Sequence, residues 1–123
     1  MTIAEVSKKL NISADTLRYY ERIGLIPAVP RNKSGIRNYD DSSIGWINFI
    51  KCMKKAGLTI EVLIEYVSLY QQGDSTKETR KSLLIEQRKE LLDRIEELKE
   101  TLEYLNKKIE KYDEITVNEK KLK

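Results

Sequence analysis

Between Ser13 and Tyr39 the chain concentrates side chains suited to holding a phosphodiester backbone and reading base edges. Thr16, Arg18, Tyr19 and Arg22 fall within two helical turns, and Arg31, Lys33, Arg37 and Tyr39 follow beyond Pro27. A guanidinium donates paired hydrogen bonds to guanine or to phosphate, and tyrosine and threonine hydroxyls reach phosphate oxygens. A second centre of chemistry is Cys52, within Ile50-Lys51-Cys52-Met53-Lys54-Lys55. A thiolate there would add to an electrophile, and Lys51, Lys54 and Lys55 would favour it. The negative end of a helix would disfavour it, and a lone cysteine among Phe49, Ile50 and Met53 equally suits a small buried hydrophobe.

The remaining composition removes most other chemistry. With one cysteine and no histidine, the chain has no intrachain disulfide, no Cys-x-x-Cys pair, no Cys-His nucleophile and no ordinary zinc site. No metal and no cofactor is expected, nor is the chain expected to be an enzyme. A single free thiol fits a reducing cytosol. No stretch approaches the roughly 18 apolar residues of a membrane span, and no signal-like run opens the sequence, so a cytoplasmic protein without a membrane partner is expected.

Charge is distributed unevenly. The whole chain carries +3, yet through Leu58 there are ten Lys or Arg against five Asp or Glu. A basic front and a mixed-charge back suit a polyanion binder on a solvated scaffold. At 123 residues there is room for one compact domain and an extended element.

The elements that position these residues read as an all-α chain. Ile3, Val6 and Leu10 give a first helix over 3–10 with Thr2 as its cap. Asn11 and Ile12 make a turn, and Ser13 caps a second helix that buries Leu17 and Tyr20 and leaves Thr16, Arg18, Tyr19 and Arg22 outward. Two short helices joined by a tight turn form a helix-turn-helix, with Asp15, Thr16 and Arg18 placed for base readout and Tyr19 and Arg22 for phosphate. From Pro27 to Tyr39, two prolines, Asn32 and Ser34-Gly35 favour a short β-hairpin wing carrying Arg31, Lys33 and Arg37.

Asp40 and Asp41 open a third helix reaching about Ala56, apolar on more than one face and so sandwiched. Thr59 caps a fourth over 60–71, with Ile60, Leu63, Ile64, Val67 and Tyr70 as its buried stripe. The last helix is expected over 76–112. Its Leu91, Ile95, Leu98, Leu102, Leu105, Ile109 and Tyr112 alternate spacings of four and three, a heptad seam. Such a helix would extend about 55 Å at 1.5 Å per residue, beyond what four short helices cover, so a homodimer is expected. A parallel pairing would bring Arg94 near Lys99 of the partner, which slightly disfavours it without settling direction. The domains expected are a DNA-binding head with linker helices over 1–72, a coiled-coil dimerisation helix over 73–112 and a frayed polar tail over 113–123.

Ile3-Ala4-Glu5-Val6, Thr16-Leu17-Arg18-Tyr19-Tyr20-Glu21-Arg22-Ile23-Gly24-Leu25-Ile26, Gly35-Ile36-Arg37-Asn38-Tyr39 and Gly57-Leu58-Thr59-Ile60-Glu61 closely resemble the MerR family of bacterial transcription regulators. The resemblance covers residues 1 to about 112. It implies a winged helix-turn-helix homodimer joined by an antiparallel coiled coil, bound to a pseudo-palindrome in a promoter with an overlong spacer. Bending and untwisting that DNA would let RNA polymerase engage both promoter elements, an indirect partnership. By matching position, Arg18, Tyr19, Arg37 and Tyr39 would contact DNA. Metal-sensing members carry a cysteine pair after the dimerisation helix, and drug-sensing members a large appended domain. Residues 113–123 contain neither Cys nor His, so neither inducer class is implied. The surroundings of Cys52 resemble the aldehyde-responsive subgroup, typified by the AdhR and NmlR regulators, which implies an effector-sensing thiol.

Two rival readings stand beside this one. A coiled-coil interaction protein would use its basic head on another acidic surface, and a regulator of the same family would use Cys52 only structurally.

Overall fold

The computed structural model describes the backbone of residues 1–122 and the side chains of residues 1–114. Five helices follow in order: α1 (Ile3–Leu10), α2 (Ala14–Arg22), α3 (Asp41–Lys55), α4 (Ile60–Gln71) and, after a 3-10 turn at Asp74–Thr76, α5 (Lys77–Leu122). They fall into two compact units, residues 1–84 and residues 85 onward.

Local hydrogen bonding explains where the helices start and stop. The Glu5 N–H donates to Thr2 Oγ1 while the Thr2 N–H donates to Glu5 Oε1, both at 3.1 Å, a reciprocal capping box. Ser13, Asp40 and Thr59 each accept from the backbone N–H three residues on and start α2, α3 and α4. Asn11 closes α1 with φ 55°, its N–H donating to the Ser7 carbonyl. Asparagine is among the few residues that tolerate this left-handed conformation, and the reversal lets α2 start with only three residues between it and α1. Gly24 does the same after α2 at φ 82°, and the Leu25 N–H then returns to the Tyr20 carbonyl at 2.9 Å.

One core holds the first unit. Val6 from α1, Leu17 and Tyr20 from α2, Leu25, Ile26 and Val29 from the following loop, Ile47 and Ile50 from α3 and Leu63 from α4 are all buried together. Burying each large aliphatic side chain contributes about 1.5–3 kcal/mol, which ties the short helices to positions their own length could not hold. Beside the core, the Trp46 ring meets Phe49, Tyr66 and Tyr70 with centroids 4.9–6.0 Å apart. Tyr70, expected in the buried stripe of α4, is exposed; it packs edge-on to Trp46 and lies under the Arg80 guanidinium at 5.3 Å.

Two expectations are corrected. The wing contains no β-strand among the described residues, only an isolated antiparallel bridge between Arg31 and Arg37. Pro30 lacks an N–H for a ladder, and the Asn32 side chain accepts from the Ser34 and Ile36 N–H groups, so the turn is built by a side chain instead. The last helix also runs on to Leu122 instead of ending near Tyr112. Its 46 residues correspond to about 69 Å of helix at 1.5 Å per residue. Nothing between Tyr112 and Leu122 is Pro or Gly, so no residue there opposes continuation. The tail expected over 113–123 lies partly outside the described residues.

In the second unit the seam faces solvent. Ile95, Leu98, Leu102, Leu105, Ile109 and Tyr112 are all exposed, Leu98 to 68%, and Leu91 is half-buried. Ion pairs along α5, Lys99 with Glu96 at 3.4 Å and Lys107 with Glu103 at 3.8 Å, are themselves exposed and contribute little to stability.

Candidate nucleic-acid interface

The face of α2 is set by its two buried residues. Leu17 and Tyr20 point into the core, which turns Arg18, Tyr19 and Arg22 outward. Arg18 Nη1 is 3.0 Å from Asp15 Oδ1, and the Asp15 side chain is almost wholly in water. A pair so exposed is weak and separates readily for a better acceptor. The Arg22 guanidinium lies 5.4 Å from the centroid of the Tyr19 ring, so the two form one stacked unit. Thr16 is half-buried, and its hydroxyl accepts from Ser13 Oγ at 2.8 Å. That bond draws Thr16 into the cap of the helix.

Beyond α2, the wing presents Arg31 and Lys33 to solvent, and Arg31 Nη1 donates to the Gly35 carbonyl at 2.9 Å. Gly35 has φ 78° and no atom near where a Cβ would stand, so a side chain there would be opposed by backbone conformation and not by crowding. Arg37 behaves differently. Its Nε donates to Glu21 Oε1 at 2.7 Å, while Glu21 Oε2 accepts from the Val29 N–H at 2.7 Å. Burial opposes ionisation of Glu21, but the bonds from Arg37 and Val29 outweigh it and hold the carboxyl below its ordinary range. The stabilisation this gives the ionised form is present at neutral pH and is lost as pH falls through that lowered pKa.

Tyr39 is not where a DNA ligand is expected. Its side chain is 1% exposed, in the core, and its hydroxyl is buried with no hydrogen-bond partner. Burial pushes the phenol above its ordinary value. The chain at the base of the wing is fixed by backbone bonding, with the Tyr39 N–H donating to the Met1 carbonyl at 2.8 Å. Tyr39 thus anchors the wing. Tyr39→Phe should leave duplex affinity unchanged in a binding titration and leave stability equal or higher by up to about 1 kcal/mol, because it deletes an unsatisfied buried hydroxyl.

Residues 1–69 match the model of the MerR HTH family regulatory protein, and residues 44–108 match that of the MerR DNA-binding region. The chain belongs to the MerR family. It is 56% identical over 93 residues to the HTH-type transcriptional regulator AdhR of Bacillus subtilis (strain 168), covering 76% of this chain and 66% of that relative. A MerR family transcriptional regulator from Listeria monocytogenes superimposes with a TM-score of 0.89 at 49% identity, over 92% of this chain and 86% of its own. HiNmlR, a MerR family regulator lacking the sensor domain and solved bound to promoter DNA, gives a TM-score of 0.83 at 34% identity, over 92% and 90%. The chain is therefore a MerR-type DNA-binding transcriptional regulator, and the family is one of regulators, not enzymes. The coiled-coil interaction reading falls with that assignment.

In this MerR head the cysteine is exposed, near the C-terminal end of α3. The buried-hydrophobe reading of Cys52 therefore does not hold. Two of the three lysines expected to assist it are engaged elsewhere: Lys51 Nζ donates to the Leu10 carbonyl at 2.7 Å, and Lys54 Nζ sits 5.2 Å from the centroid of the Tyr20 ring. No helix among the described residues is long and apolar enough to cross a membrane.

From the sequence alone Asn32 is legible as a turn former, whereas Glu21 stands in the motif with no role of its own. A signal for Glu21 was present, since it is the sole acid from Arg18 through Arg37 among five Lys or Arg. An isolated carboxylate in such a run seeks a partner. Ile36, exposed on the wing, was not singled out either.

Proposed function

We propose that the protein acts in the cytoplasm as a homodimer on a pseudo-palindromic promoter site, and that a reactive aldehyde or related electrophile switches it through Cys52. The DNA-contacting set is Thr16, Arg18, Tyr19 and Arg22 on α2 with Arg31, Lys33 and Arg37 on the wing. Tyr39 supports the wing from beneath. The seam from Leu91 to Tyr112 joins two copies in an antiparallel coiled coil and so separates the two α2 helices by one DNA turn, about 34–36 Å, or a multiple of it. Distortion of the bound promoter then brings its two elements within reach of RNA polymerase.

The observation that carries the electrophile reading is the exposure of the thiol. Addition to an aldehyde forms a C–S bond at the carbonyl carbon and moves the thiol proton to the carbonyl oxygen, giving a hemithioacetal. No cofactor, oxidant or metal is consumed. Cys52 lies on α3, which packs both on α2 and on α4 in one core, so a bulkier adduct there bears on the setting of the recognition helix.

The test is a reporter driven by the promoter that the protein footprints in its own upstream region, challenged with formaldehyde, methylglyoxal and a quinone. Wild-type protein should induce with at least one of them, and Cys52→Ser should bind the same site with unchanged affinity but lose induction. Unchanged induction in Cys52→Ser removes the thiol from the mechanism.

A further inference from the structure

Five acids occur in the chain through Leu58, and four of them, Glu5, Asp15, Asp40 and Asp41, are exposed. Glu21 is the exception, with its side chain 14% exposed. A carboxylate beside a DNA-binding surface repels phosphate, so its position there calls for a compensating purpose. Its two oxygens face opposite arms of the wing. Oε2 holds the Val29 N–H on the incoming arm, and Oε1 holds Arg37 Nε on the outgoing arm, each at 2.7 Å. The Arg31–Arg37 bridge then closes the loop between the arms. A planar guanidinium bound through Nε is oriented by that bond, and its terminal Nη groups, which the bond does not use, are the ones it presents.

We propose that Glu21 is a positioning residue for DNA recognition: its carboxylate locks the wing to the recognition helix α2 and aims Arg37, with Arg31 and Lys33, at the phosphates flanking the groove that α2 enters. The inference rests on the wing contacts proposed above. It assigns to the one acid of the motif a role opposite in sign to its charge. If charge alone mattered, neutralising Glu21 would tighten binding, since one fewer anion faces the duplex. If the clamp matters, neutralising it weakens binding, because a glutamine offers one acceptor oxygen and turns an amide donor toward either Arg37 or Val29.

The experiment compares the full chain with Glu21→Gln, Arg37→Lys and Arg31→Ala/Lys33→Ala on the footprinted duplex, over a series of salt concentrations. Circular dichroism melts monitor folding. Glu21→Gln should bind about tenfold more weakly, the size of one lost charge-assisted contact. Its log-affinity against log-salt slope should fall by about one phosphate equivalent, roughly 0.9. Hydroxyl-radical protection should disappear at the flanks while that under α2 persists. Arg37→Lys, which keeps the charge but loses the oriented fork, should show the same pattern, and it decides the matter if Glu21→Gln does not fold. Binding by either folded variant as tight as wild type, with the flanking protection intact, overturns the proposal. Failure of the wing reading itself is separately visible: Arg31→Ala/Lys33→Ala would then leave slope and flanks unchanged, and the Glu21 inference would fall with it.

Discussion

Leu98→Glu together with Leu105→Glu should give a monomer that retains a folded head and binds its promoter duplex about 10²–10⁴-fold more weakly, the avidity lost when two linked sites become one. Both leucines are more than half exposed, lie in the second unit and are not among the core residues of 1–84. The substitutions therefore delete no contact that holds the head together. In the proposed dimer the same positions are the knobs of the seam, and four carboxylates would be driven into an apolar interface. Burying an unpaired carboxylate is costly enough that dissociation relieves it. Analytical ultracentrifugation reads the oligomeric state, circular dichroism the head, and a duplex titration the affinity. A double variant that stays dimeric, or a monomer that binds as tightly as wild type, refutes the seam as the joint between two heads.

The second large effect separates two neighbours in sequence. Leu17→Ala should cost about 2–5 kcal/mol of stability, because Leu17 is fully buried on α2 and the truncation leaves a cavity between α1, the loop after α2 and α3. Against a total of about 5–15 kcal/mol for a domain of this size, that change lowers the urea midpoint substantially. Arg18→Ala, one residue on, should leave stability within about 0.5 kcal/mol of wild type, since its ion-pair partner is the exposed Asp15. It should instead reduce discrimination between the cognate duplex and a scrambled one by about 1–3 kcal/mol. The 100° step between successive helical residues assigns one neighbour to folding and the next to recognition.

How much of this was legible in the residues depends on how local the determining physics is. Four helix starts follow from Thr2, Ser13, Asp40 and Thr59, because a cap is a bond between a side chain and a backbone N–H three positions away. The buried and outward faces of α2 follow from helical periodicity. The wing reads as a strand-paired hairpin, yet the Asn32 carboxamide competes for backbone donors that a ladder would need. The family motif implies a DNA contact for Tyr39, whereas its burial comes from packing by residues distant in sequence. Periodicity does not choose a side for Cys52, because α3 is apolar on more than one face.

The sequence by itself determined the all-α class, the helix-turn-helix with its caps, the heptad seam on a helix too long for its neighbours and the MerR membership, all of which depend on residues within a turn or two of one another. Only the tertiary structure decided that Glu21 joins α2 to both arms of the wing, that Tyr39 lies beneath it and that Cys52 reaches solvent. Each of those outcomes depends on groups 8 to 16 positions apart or on separate helices. Such groups meet only after the core around Leu17, Ile47 and Ile50 has fixed where the helices and the wing stand, and no local preference encodes that meeting.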